Sequence, residues 1–199
     1  MSRALYLLRQ CKRILPGEAL KTLYYSIFHC HLVYGILIYS CTNVSNLNSI
    51  IIKQKMALRA ITNSRYNAHT GPLFQRLNIV PVESLIKFFS LKFMYMYKAN
   101  LVPRSFRNMW LSRSELNNGN LILRNRAEFD IPRARLNLVK RLPLCNLPDI
   151  WNKFNEQVHE RLKQSRSLII FSSKLKKYLV SKLEINCNRL NCPACILGS

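Results

Sequence analysis

Carboxylates are what this chain has least of. Its 199 residues carry nine Asp and Glu against 31 Lys and Arg, for a formal charge of +22. The only aspartates are Asp130 and Asp149, and the seven glutamates are scattered. Acid–base and metal-dependent hydrolytic enzymes usually draw on carboxylates, so those classes lose their commonest parts. Glycine is also scarce, at five residues, and no Gly-rich or Ser-rich linker or internal repeat occurs. A P-loop, a dinucleotide fingerprint and a Gly-x-Ser-x-Gly elbow are all missing from the sequence. The first residues, Met-Ser-Arg-Ala-Leu-Tyr, lack the basic-then-apolar-then-small order of a signal peptide. The seven cysteines, an odd number, are therefore expected to be reduced, and the chain intracellular, nuclear or cytoplasmic.

Apolar residues are plentiful, at 49% of the chain, which excludes disorder throughout and leaves room for one domain or one with a small appendage. The unbalanced positive charge calls for an anionic partner, nucleic acid (RNA or DNA) or an acidic membrane surface, and no small-molecule substrate is expected. One stretch allows another reading. Residues 23–41 hold no fixed charge and are long enough to span a membrane. His29, His31, Ser26, Ser40 and four tyrosines interrupt the run, and a helix buried on all sides of a soluble core explains it at lower cost.

The apolar periodicity predicts an all-α fold, an irregular bundle of about six helices with a basic, Pro-interrupted loop region and a Cys-containing tail. Residues 1–100 read as a helical region: a short helix over 4–14, a long one from 18 to 39, then 46–62, 72–78 and 81–99. In the long helix Leu20, Leu23, Tyr24, Ile27, Phe28, His31 and Tyr34 recur on one face, which places His31 in the core and His29 outside. His69 is expected to fix its loop by a side-chain hydrogen bond. Phe89 and Phe93 are read as core, Trp110 and Trp151 as packing anchors. Residues 101–147 read as an irregular basic arm, broken by Pro103, Pro132 and Pro143. Residues 148–184 read as a helical pair beginning at Pro148, with Ser167 as a cap for the last helix and Phe171, Leu175, Tyr178 and Leu179 inward. Residues 185–199 form the tail.

That tail carries Cys187, Cys192 and Cys195, and a Cys-x-x-Cys pair can chelate a metal from a tight turn. Three thiolates are one short of a structural zinc site; Cys145 or another chain could supply the fourth. The other reading is three free thiols, and no further cofactor is expected. The candidate nucleic-acid contacts are Arg124, Arg126, Arg133, Arg135, Lys140 and Arg141 in the arm, with Lys174, Lys176 and Lys177 on the last helix. No catalytic residue can be named.

Five stretches in order, over roughly residues 3–183, resemble the C-terminal (thumb and post-polymerase) region of non-LTR, LINE-type (jockey-like) retrotransposon reverse transcriptases. They are Leu20 to Gly35, Ile52 to Ile61, Ala68 to Phe74 with Leu77 to Val80, Phe93 to Pro103 with Phe106, and Leu147 to Asn152 followed by Phe171 and Leu175 to Leu179. The resemblance implies a helical fold that helps to hold a template RNA and its primer. The family's polymerase activity depends on paired aspartates in a Tyr-x-Asp-Asp motif, and this sequence has no Asp-Asp. The resemblance therefore implies a non-catalytic fragment, an orphaned piece translated from its own Met. The alternatives are part of an RNA-directed DNA polymerase, active only with a separate palm, and a single-span membrane protein using residues 23–41.

Overall fold

The computed structural model describes residues 1–112, 127–157 and 167–181, excluding the side chains of 155–157. The architecture is all-α. In chain order the helices are α1 Ser2–Cys11, α2 Gly17–Leu23, a π-helical segment Tyr24–His29, α3 Cys30–Val33, α4 Ile36–Tyr39, α5 Val44–Ile61, α6 Gly71–Leu77, α7 Val82–Lys98, a 3₁₀ turn Arg104–Phe106, α8 Asn137–Arg141, α9 Pro143–Gln157 and α10 Leu168–Ser181. The described residues contain no strand, only an isolated antiparallel bridge between Ser112 and Phe129. None of their helices is long and apolar enough to cross a membrane.

The chain divides into two compact units. Unit one comprises Met1–Ile36, Asn43–Leu85 and the residues from Tyr178 onward; unit two comprises Leu37–Thr42 and Ile86–Lys177.

In unit one α1 packs on α2, the π segment and α5, and α5 on α2 and α6. Leu8, Leu20, Tyr24, Phe28, Leu32, Leu58 and Ile79 are buried there, each Leu or Phe worth about 1.5–3 kcal/mol relative to exposure. The 18–39 stretch is not one helix. Tyr34 turns extended, Gly35 takes φ +63°, and the helical path resumes only at Ile36. The buried stripe also differs from the predicted face. It runs Leu20, Tyr24, Phe28, Leu32, Ile36, in steps of four, while His31 is exposed, Tyr34 is 86% exposed and His29 is half-buried. The π segment explains the shift, because i→i+5 bonding puts more residues in each turn and the core face advances by four. Tyr25, Ser26, Cys30 and Ile38 are exposed, so the uncharged run is buried on one side only.

One polar side chain sits at the centre of unit one. Gln54, 1% exposed, donates to the Tyr24 hydroxyl (3.0 Å) and the Val80 carbonyl (2.9 Å), and accepts from the Val82 N–H (2.9 Å). It ties the π segment and the start of α7 to α5, with its buried amide satisfied as burial requires. Burial pushes the Tyr24 phenol far above its ordinary range. The 64–70 loop is held differently from the prediction: Arg59 Nε donates to the Ala68 carbonyl at 3.0 Å, and His69 Nδ1 is buried with no hydrogen-bond partner.

In unit two Leu91, Met94, Trp151, Phe171 and Leu175 are buried. Phe89 and Phe93 are half-buried rather than core, and Tyr97 takes the inward position. Its hydroxyl lies 2.8 Å from the Arg107 and Trp110 carbonyls and accepts from the Trp110 N–H at 3.0 Å. Tyr95 stacks on Phe171, with centroids 4.3 Å apart. Helix α9 begins five residues before the predicted start, and Pro148 lies inside it. Proline has no N–H to give the carbonyl four residues back, that of Leu144. The Trp110 indole N–H donates to that carbonyl instead, at 2.7 Å. Further along α9, the Asn152 amide accepts from the N–H groups of Glu128 and Phe129 and donates to the Phe129 carbonyl, pinning that segment. Ser167 caps α10, its hydroxyl accepting from the Ile169 N–H at 3.2 Å.

Candidate nucleic-acid interface

The predicted contacts are divided between described and undescribed residues. Arg124 and Arg126 lie outside the described residues. Arg133 and Arg135 are exposed in the segment before α8; Lys140 is exposed and Arg141 half-buried in the last turn of α8, where cations complement the helix dipole. Lys174, Lys176 and Lys177 are exposed on α10, whose other face buries Phe171, Leu175 and Leu179, while Tyr178 is half-buried. All of these described cations belong to unit two.

Two carboxylates of unit two are engaged by neighbouring side chains. Glu128 accepts from the Trp151 indole at 2.9 Å and pairs with Lys98; Asp149 pairs with Lys153 at 2.6 Å, one turn along α9. A 450 Å³ hollow beside Tyr97 and Trp110 is lined by Lys98, Arg107 and Glu128, so its cations face an acid. Cys187, Cys192 and Cys195 lie outside the described residues. Cys145, the suggested fourth ligand, is buried with its thiol 3.8 Å from the Pro132 carbonyl. Among the described residues no three His, Cys, Asp or Glu side chains come together as a metal site would need.

Unit one holds a basic recess that residue spacing alone did not single out. Helix α1 buries Ala4, Leu5 and Leu8 and leaves Arg9 exposed in its last turn, and Lys12 and Arg13 are exposed in the turn that follows it. Helix α5 buries Ala57, Leu58, Ala60 and Ile61 and leaves Arg59 half-buried. Asn63, at φ +51°, ends α5 in a Schellman motif: the Ser64 N–H bonds the Arg59 carbonyl (3.0 Å) and the Asn63 N–H the Ala60 carbonyl (3.4 Å). This turn places Ser64 and Tyr66 beside the ends of α1 and α5. Together Arg9, Lys12, Arg13, Arg59, Ser64 and Tyr66 line a recess of about 420 Å³, within the range of small-ligand sites.

No carboxylate lines the recess. Arg9 and Arg13 make no side-chain hydrogen bond or ion pair within the described residues. Lys12 Nζ reaches only Asn63 Oδ1, at 3.4 Å, and Arg59 commits Nε alone of its five N–H donors. Burial lowers the Arg59 pKa from its ordinary value, because the guanidinium is partly withdrawn from water. The available signal in the sequence was the pairing of basic residues at i and i+4 near the end of α1; the approach of α5 was not readable from it. No family model, curated protein or solved structure matches the chain.

Proposed function

We propose that this chain is a non-catalytic nucleic-acid-binding fragment of a LINE-type retrotransposon reverse transcriptase, its basic surface holding RNA or DNA backbone without regard to sequence. The observation that carries the reading is the exposure of cations with almost no acidic counterweight. In the described residues of unit one, ten lysines and arginines face two acids, Glu18 and Glu83. Unit two adds exposed Arg133, Arg135, Lys140, Lys174, Lys176 and Lys177. Each phosphate neutralised by such a residue releases condensed counterions, and that release drives sequence-tolerant binding. The order of the five family-like stretches supports the same reading. In an intact polymerase this region would steady the template and primer while aspartates elsewhere held the metals.

The test is a salt titration of the full chain on mixed-sequence RNA and DNA, followed by fluorescence anisotropy. Affinity is expected to fall steeply with salt and to differ little between sequences. Changing Arg124, Arg126, Arg133 and Arg135 together to Gln is expected to flatten the log-affinity against log-salt slope by about one unit per lost contact. Tight binding that survives high salt, or a strong preference for one sequence, overturns the proposal.

A further inference from the structure

We infer that the recess at the ends of α1 and α5 is a one-nucleotide subsite for single-stranded RNA or DNA, in which Arg9, Arg13 and Arg59 hold a backbone phosphate and Tyr66 stacks on the adjoining base. This inference rests on the nucleic-acid reading above and gives it a location in unit one.

The charge argument comes first. Basic residues in the last turn of a helix ordinarily serve its dipole, satisfying carbonyls that lack partners. Here backbone already renders most of that service. The end of α5 is closed by the Schellman motif, and the Leu8, Gln10 and Cys11 carbonyls of α1, though not that of Arg9, accept from the N–H groups of residues 12–15. The cations around the recess outnumber the carbonyls left to them, and no acid lines the cavity to balance them. Arginine forks match phosphate oxygens with paired donors, and among the described residues Arg9 and Arg13 keep theirs uncommitted. A phosphate entering the recess would offset the cost of holding Arg59 partly out of water.

Strandedness follows from the aromatic residue. Tyr66 is 89% exposed and makes no ring contact within the described residues. A free aromatic face at the rim of a basic recess is the arrangement by which single strands are held: backbone in the charged groove, base on the ring. A paired base inside a duplex is already stacked on both faces and cannot use Tyr66. The site therefore discriminates by strandedness and not by sequence.

The experiment compares four forms of the full chain: wild type, Arg9→Gln with Arg13→Gln, Tyr66→Ala, and Tyr66→Phe. A charge-matched control, Lys53→Gln with Lys55→Gln, removes the same charge from unit one outside the recess. Probes are a labelled uridine homopolymer, a DNA hairpin duplex, and phosphatidylserine vesicles. Losing Arg9 and Arg13 is expected to reduce the homopolymer salt slope by about 0.7 units, the value for one phosphate on a single strand, and by more than the control does. Tyr66→Ala is expected to weaken homopolymer binding about tenfold or more with the duplex unchanged, and Tyr66→Phe to restore it. Circular dichroism establishes that each variant is folded. Equal slopes for the Arg9/Arg13 variant and the control overturn the phosphate site, and equal losses on both nucleic acids for Tyr66→Ala overturn the stacking. Vesicle binding that depends on Arg9 and Arg13 while homopolymer binding does not would reassign the recess to lipid headgroups and overturn the inference. A wild-type chain that binds neither nucleic acid refutes the broader proposal; a chain that binds both but ignores the recess substitutions refutes this one alone.

Discussion

Pro148 and Trp110 form the clearest single-residue dependency in unit two. A proline inside a helix costs about 3 kcal/mol or more, part of it from the carbonyl left without an N–H. The Trp110 indole supplies that hydrogen bond from outside the helix. Trp110→Phe, which keeps most of the packing, is expected to destabilise unit two by about 2 kcal/mol by leaving the Leu144 carbonyl unpaired. In a Pro148→Ala background the helix has its own N–H at that position, so the same substitution should cost much less. A double-mutant cycle by urea denaturation checks this, and additive effects would reject the dependency. Tryptophan as a packing anchor was readable from the sequence; its role as a substitute donor was not. Nothing in local spacing ties position 110 to a carbonyl thirty-four residues on. The three partners of Gln54 likewise come from outside its own helix, between 26 and 30 residues away in sequence.

Three helix ends share a single device. Asn63, Asn78 and Asn100 all take φ between 51° and 55°, and each is followed by an N–H bonded five residues back: Ser64 to Arg59, Ile79 to Phe74, Leu101 to Met96. With glycine scarce, asparagine serves in the left-handed position, tolerating it through its short polar side chain. Asn78→Ala and Asn100→Ala are each expected to lower stability by about 1 kcal/mol, with Gly at either position close to neutral, as thermal denaturation would register. Boundaries near two of these asparagines were legible from the apolar periodicity: helices predicted over 46–62 and 72–78 lie over Val44–Ile61 and Gly71–Leu77. The long 18–39 helix was misread because a periodicity of 3.6 assumes an unbroken α ladder. A π segment shifts the register by hydrogen bonding, and no residue type announces it, so His31 and Tyr34 were assigned to a face that the wider turn carries outward.

For the whole molecule, the charge of +22 acts on the fold as well as on partners. Like charges on a compact chain repel, and folding brings them closer than an expanded chain would. Added monovalent salt, by shortening the screening length, is expected to raise the melting temperature by several degrees, and a polyanion such as poly-uridine to raise it at far lower concentration. A melting temperature indifferent to salt would mean that the charges are too well spaced to strain the fold. The sequence disclosed this charge in full and the all-α class with it, yet only half of where the charge gathers. The three asparagine ends have a further consequence, for chemical ageing. Asparagine deamidates when the backbone nitrogen of the next residue attacks its side-chain amide. At Asn63, Asn78 and Asn100 that nitrogen is held by the bond that closes the helix. While folded, the molecule shields its own helix ends from this reaction. Each unfolding event lifts the shield, and every amide then lost leaves a carboxylate behind, so the protein's history of unfolding is written as an erosion of the positive charge on which its binding would depend.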